Sequence, residues 1–168
     1  MKKLLFLWLL CLCPFVVQAQ TTVKYGYFSY QAAFTSMPSY AIAKRKLDDL
    51  KLKYDAEMRR VEDEFNKKYE QFLEGQRDFA PSILRKRQAE LKELIEKNLA
   101  FKDEAKRLLK EAERETYAPL RAKLAEVLRG IGDARGYLFI LNTDNDNLPY
   151  VNPAMGEDIN ALVKESLQ

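Results

Sequence analysis

The feature that most constrains this chain is a charged stretch from Lys44 to Arg129, interrupted once by the cluster Gly75-Gln76-Arg77-Asp78-Phe79-Ala80-Pro81-Ser82. It holds 23 Lys/Arg and 19 Asp/Glu. Such a segment has too little apolar surface to close on itself as a globule, and its apolar residues fall at helical spacing. It reads as two long helices that leave a small body, turn, and return.

The two arms carry different periods. On the first, Leu47, Leu50, Tyr54, Met58, Val61, Phe65, Tyr69 and Phe72 follow one another in steps of three and four, repeating every eleven residues. That period of about 3.67 residues per turn favours a nearly straight or slightly right-handed coil. On the second, Leu84, Leu91, Asn98, Ala105 and Ala112 recur every seven residues, with Leu94, Phe101 and Leu108 between them, a heptad seam. Ile95, Leu99 and Leu109 form a second apolar line beside it. Asn98 on the seam reads as a loose, wet point of the coil, although an Asn there can also fix register. Gly75 ends the first helix and Pro81, whose missing N–H costs nothing in a first turn, opens the second. An arm from Ser39 to Glu74 would extend about 54 Å at a rise of ~1.5 Å per residue. Pro119 removes a backbone hydrogen bond from the returning helix and predicts a bend or hinge near its base.

The flanks read as the body. Val23 to Tyr30 alternates aromatic and small residues and predicts a strand, with a helical turn at Gln31 to Phe34 and Ser36 or Ser39 as N-cap of the long arm. Gly130, Gly132 and Gly136 loosen the chain. Tyr137 to Leu141 predicts a second strand, Asn142 to Asn147 a hairpin turn, and Leu148 to Val151 a short return strand, Pro149 suiting an edge. Gly156 to Leu167 predicts a terminal amphipathic helix. So few elements cannot bury a good core alone, which argues that subunits join their sheets through Val23, Tyr25, Tyr27, Leu138, Ile140 and Tyr150.

The first nineteen residues read as a cleavable signal peptide: Lys2 and Lys3, an apolar run from Leu4 to Val17, and Val17-Gln18-Ala19 as cleavage site. The run is shorter than the ~20 residues a membrane span needs. Its removal takes away Cys11 and Cys13, leaving a mature chain with neither Cys nor His and a net charge near +1. That balance is too neutral for a general nucleic-acid binder, and it is uneven: +4 over Lys44–Arg129 and −4 over Gly130–Gln168.

Chemistry is sparse. Asn142, Asp144 and Asp146 alternate as calcium ligands can, but the loop lacks the Gly and closing Glu an EF-hand requires. Gly130-Ile131-Gly132 lacks the Lys-Ser/Thr of a phosphate loop. The serines have no His to activate them. No enzyme, metal site or cofactor is expected. Arg85, Lys86 and Arg87 beside the tip form the densest basic patch, suited to a membrane surface or anionic lipid.

The order of elements, together with Val23-Lys24-Tyr25-Gly26-Tyr27-Phe28, Ala80-Pro81-Ser82, Tyr117-Ala118-Pro119-Leu120, Arg135 to Leu141 and Met155-Gly156-Glu157-Asp158-Ile159, resembles the Skp/OmpH family of periplasmic chaperones. The resemblance implies a homotrimer whose strands build a shared β body, with helical arms enclosing a cavity that holds unfolded outer-membrane proteins without ATP. Family members are often strongly basic, and this chain departs from that. The expected fold is therefore α+β: a long antiparallel coiled-coil hairpin, residues 39–129 with its tip near 75–82, projecting from a small trimerising body formed by residues 20–38 and 130–168. Candidate client-binding residues are Met58, Phe65, Tyr69, Phe72, Leu99 and Phe101. The rival reading is a structural or adaptor coiled coil of the cell envelope; a secreted hydrolase is a distant third.

Overall fold

A computed structural model describes residues 23–146 and 148–168; the expected signal peptide, residues 1–19, lies outside the described residues. The chain begins with strand β1 (Tyr25–Phe28), a short helix α1 (Tyr30–Ser36), and two long helices, α2 (Pro38–Gly75) and α3 (Pro81–Arg135). Strand β2 (Phe139–Asn142), a 3-10 turn (Asp144–Asp146), strand β3 (Gly156–Asp158) and helix α4 (Asn160–Ser166) complete it.

The alternation in β1 makes it the centre of the sheet. Gly26 and Phe28 are buried while Tyr25 and Tyr27, on the other face, are half-buried. Both neighbours are parallel to β1, in the order β2-β1-β3, with Tyr25 opposite Phe139 on one side and Gly156 on the other. Parallel neighbours require crossovers, and the crossover from β1 to β2 is the whole excursion through the long helices. The core lies beneath one face of the sheet, where Phe28, Met37, Leu120, Leu124, Ile131, Ile159, Val163 and Leu167 are buried together.

The tip follows the sequence reading, with α2 ending at Gly75 and α3 opening on Pro81. Gly75 is needed for space, because a Cβ there would lie 2.5 Å from Cζ of Phe79, whose ring folds over the helix end. Along the paired helices Tyr40 stacks on Tyr117, Tyr54 meets Phe101, and Val61 meets Asn98, so partners fall in number on α3 as they rise on α2.

Several local expectations are corrected. The third strand is Gly156–Asp158, and residues 148–151 form none; Pro149 has no N–H to give a ladder. Residues 142–146 make no hairpin turn. Their side chains accept hydrogen bonds from the start of α1: Asn142 from the N–H of Tyr30 (3.1 Å), and Asp144 from the N–H of Gln31 (2.7 Å) and the Ser29 hydroxyl (2.6 Å). The chain therefore crosses β1 before pairing again. Neither Ser36 nor Ser39 caps the long arm: α2 starts at Pro38 behind Met37, and the Ser36 hydroxyl donates to the carbonyl of Ala33. Gly130 and Gly132 lie inside α3, held there by the buried Ile131 between them; Gly136 alone, at φ 66°, ends that helix. The terminal helix starts at Asn160, because Ile159 still donates its N–H to the Tyr27 carbonyl (3.0 Å). Pro119 lies within α3 without dividing it.

Candidate functional site

The paired helices join through side chains from stripes of unlike period. Phe101 of α3 tilts against Tyr54 of α2 (6.3 Å between centroids), and Phe72 meets Phe79 at the tip (6.4 Å); within α2, Phe65 stacks on Tyr69 (5.9 Å). Leu91 and Ala105 are the buried members of the α3 seam. Between the helices near the tip lies a cleft of about 70 Å³, lined by Lys68, Gln71, Phe72, Phe79, Arg87, Glu90 and Leu91. Asn98 is not a wet point: its Nδ2 donates to the carbonyl of Val61 at 3.1 Å, across the pair.

Charge contributes little to that pairing. Among the described residues no ion pair joins α2 to α3: apart from Arg135 at the end of α3, which pairs with Glu157 of β3, every ion pair on these helices is internal to one helix, at a spacing of three or four residues. Arg60 with Glu57 and Glu64, and Arg107 with Glu104 and Glu111, are the densest groups. Hydrogen bonds from these guanidiniums hold Glu57 and Glu104 below the usual carboxylate range, and Lys97 does the same for Glu93. Exposed pairs of this kind, screened by solvent, are worth little each; they support the individual helices.

The candidate residues on the arms divide by exposure. Met58, Phe65, Phe72 and Phe101 are half-buried along the seam, whereas Tyr69 (44% exposed) and Leu99 (58%) project from it. Ile42, Leu52, Leu73, Ile83 and Ile95 are exposed as well. Leu73 escaped the sequence reading because it lies off the eleven-residue stripe. At the tip, Arg85 is exposed, and Lys86 (3.9 Å) and Arg87 (3.1 Å) both reach Glu90.

The body has an uncovered face of its own. Tyr25 stacks on Phe139 (5.6 Å) and its ring lies against Gly156. Tyr27 and Ile140 are half-buried, Val23 is exposed, and Leu138 and Tyr150 are more than two-thirds exposed (71% and 74%). Tyr137 donates its hydroxyl to Glu157, which also pairs with Arg135 (3.2 Å). Burial, followed by that hydrogen bond, pushes the phenol up to about 12. Where the arms meet the body, Tyr30, Phe34, Tyr40 and Tyr117 form an aromatic cluster with centroids 5.4–5.8 Å apart. No sequence period marked it, because its members come from three helices. Burial raises the Tyr117 phenol above its ordinary value, and Tyr40 adds to the shift.

Among the described residues no cluster of His, Cys, Asp or Glu could hold a metal ion, and no helix is long and apolar enough to cross a membrane. The sequence matches the family described as Outer membrane protein (OmpH-like) over residues 24–167. The chain belongs to the OmpH-like family. The resemblance read from the motifs is thereby borne out. The family is one of periplasmic chaperones of outer-membrane proteins, generally without catalytic activity. No match is found among curated protein sequences.

Proposed function

We propose that this OmpH-like protein is an ATP-independent periplasmic holdase that keeps unfolded outer-membrane proteins from aggregating. The observation that carries the reading is exposed apolar surface on the paired helices: Leu52, Tyr69, Leu73, Ile95 and Leu99 are all open to solvent. A helix pair serving only as a strut would gain by making these positions polar.

In this reading α2 and α3 are an antiparallel hairpin arm, and three arms from a trimeric body surround a cavity. Parallel sheets are normally covered on both faces, so the half-covered face bearing Tyr25, Tyr27 and Phe139, with exposed Leu138 and Tyr150 nearby, supports joining of subunits there. Holding is weak and multivalent: many shallow contacts from tethered arms raise effective concentration without a deep pocket. Val23, Tyr25, Tyr27, Leu138, Ile140 and Tyr150 would form the shared body, and Arg85, Lys86 and Arg87 would meet an anionic membrane surface. Export by cleavage after Ala19 belongs to the same proposal.

The test is to dilute a denatured β-barrel protein from urea into buffer with the purified mature chain and follow light scattering. Suppression at a severalfold molar excess is expected, without nucleotide. Unchanged aggregation would overturn the holdase reading in favour of a structural or adaptor role in the envelope. Sedimentation equilibrium tests the body: a trimer is expected, and a stable monomer would refute it.

A further inference from the structure

Residues 20–168 hold no cysteine, tryptophan or histidine, since Trp8, Cys11 and Cys13 all fall in the first nineteen residues. That part of the chain has no thiol with which to make a disulfide, the ordinary covalent staple of an oxidising compartment. Its oxidisable side chains are methionine and tyrosine. Met37 lies in the core, Met58 is half-buried and Met155 is exposed. The nine tyrosines differ in what they face. Tyr25 stacks on Phe139, Tyr30 on Phe34 and Tyr69 on Phe65, while Tyr54 tilts against Phe101. Among the described residues only Tyr40 and Tyr117 bring two phenol rings together, with centroids 5.7 Å apart and planes inclined by 12°.

The fold holds this pair in place from both sides. Tyr40 sits in the first turn of α2 and Tyr117 on α3, two residues before Pro119. Both rings pack edge-on against Phe34 of α1, at 5.6 and 5.4 Å. Nearly parallel rings at this spacing touch as an offset stack. Both tyrosines are half-buried, so a small oxidant reaches them from solvent. A radical formed on one ring then has the other as its nearest phenol. Burial and the neighbouring Tyr40 keep the Tyr117 phenol protonated, so its electron leaves together with a proton. Pro119 supplies no N–H to the carbonyl of Glu115, which leaves the turn bearing Tyr117 easier to displace towards its partner.

We propose that Tyr40 and Tyr117 are an oxidative cross-linking site, where an oxidant of the peroxide class joins the two rings and staples α2 to α3 beside the body. Each phenol gives up one electron and one proton. The two radicals couple through ring carbons next to the hydroxyls, forming one carbon–carbon bond, and the hydrogens on those carbons move to oxygen to restore both phenols. The oxygen–oxygen bond of the oxidant breaks and takes both electrons; with hydrogen peroxide the two protons complete two waters. The product is lighter than the parent chain by two hydrogen atoms. It closes residues 40–117, the two long helices and their tip, into one covalent loop that thiols do not reopen. The proposal goes beyond the holdase reading and does not depend on it.

The experiment exposes the dilute mature chain to light with ruthenium tris(bipyridine) and persulfate, a peroxide that yields two sulfates, and maps the tryptic peptides by mass spectrometry. A linked peptide pair containing positions 40 and 117, lighter by two hydrogens than the sum of its parts, is expected at least fivefold above any other tyrosine pair. Tyr40→Phe and Tyr117→Phe, which keep the ring stack, should each lower that product at least tenfold, and Tyr54→Phe should leave it within twofold. Oxidation of the wild-type chain in urea, where the stack is lost, should also remove it. The linked chain should unfold at a urea midpoint higher by about 1 M or more, as closing a long loop constrains the unfolded state. Equal linkage among all tyrosines, or the same yield in urea, would show random encounter and overturn the site. Chain-to-chain products through Tyr25, Tyr27 or Tyr150 that outweigh the 40–117 link would place the coupling in the body, with the same consequence.

Discussion

Asn98 is the most instructive position to perturb, because the consequence depends on what surrounds one carbonyl. Its amide donates across the pair to Val61 at 3.1 Å, from a half-buried position. The Val61 carbonyl lies within α2, where the N–H four residues on, at Phe65, already serves it. Asn98→Ala thus leaves no orphaned acceptor, and the cost is the net value of one hydrogen bond, about 0.5–1.5 kcal/mol. With a urea slope of about 2 kcal/mol/M, the unfolding midpoint should fall by roughly 0.3–0.8 M. Asn98→Leu loses the same bond but gains apolar burial, about half of the 1.5–3 kcal/mol that full burial of a leucine provides. The two effects cancel, and that variant should unfold within about 0.3 M of the wild type. Both are read by circular dichroism at one fixed protein concentration, since any association contributes to the midpoint. A fall of more than about 1.5 M for the alanine variant would mean that a buried polar group had lost its only partner. A leucine variant as weak as the alanine variant would show that the seam at this point cannot use apolar volume. Either outcome refutes the account of Asn98 as a dispensable bond on a shared carbonyl.

Three further outcomes are expected. Gly156→Ala should destabilise the body by about 1–3 kcal/mol, since the new Cβ would lie 2.8 Å from Cζ of a Tyr25 ring already stacked on Phe139; a midpoint unchanged in urea would show that the ring swings free. Asp144→Ala should cost about 1–2 kcal/mol at neutral pH by releasing the N–H of Gln31 and the Ser29 hydroxyl. Because those bonds hold the Asp144 carboxyl below its ordinary value, the contribution is present above the unfolded pKa and fades as pH falls through the folded one, so variant and wild type should converge in acid unfolding; a gap that persists there would refute the assignment. Tyr137, raised to about 12 by burial and by Glu157, has the opposite sign: its contribution is complete below the unfolded value near 10 and is lost as pH rises towards 12. Tyr137→Phe should therefore flatten the alkaline limb of stability against pH, and an unchanged limb would show that another group controls it.

The long helices, their tip and their partnership were legible in the sequence because each signal is local. A stripe of steps three and four from Leu47 to Phe72, a heptad from Leu84 to Ala112, and Gly75 and Pro81 at the turn act within a few residues of themselves. The family could be read from motifs for the same reason. What escaped were choices made between distant residues. Asn142 and Asp144 looked like turn chemistry, yet the donors they satisfy belong to residues 29–31, more than a hundred positions earlier. Gly130 and Gly132 looked like a break, but buried Ile131 between them outweighs their poor helix propensity.

The sequence by itself thus determined which residues are helical, where the helices stop, and that the seam of one arm does not share the period of the other. Tertiary structure alone decided that β1 lies between two parallel strands, that Asn98 bonds across to Val61, and which apolar side chains of the long helices are left exposed. The physical reason is that periodicity fixes a side chain's angle about its own helix axis, whereas the direction that angle faces is set by where the neighbouring helix lies and which way it runs. For this OmpH-like protein the charged stretch dictated two long helices, and packing decided that Leu91 and Ala105 are buried while Tyr69, Leu73, Ile95 and Leu99 stay exposed.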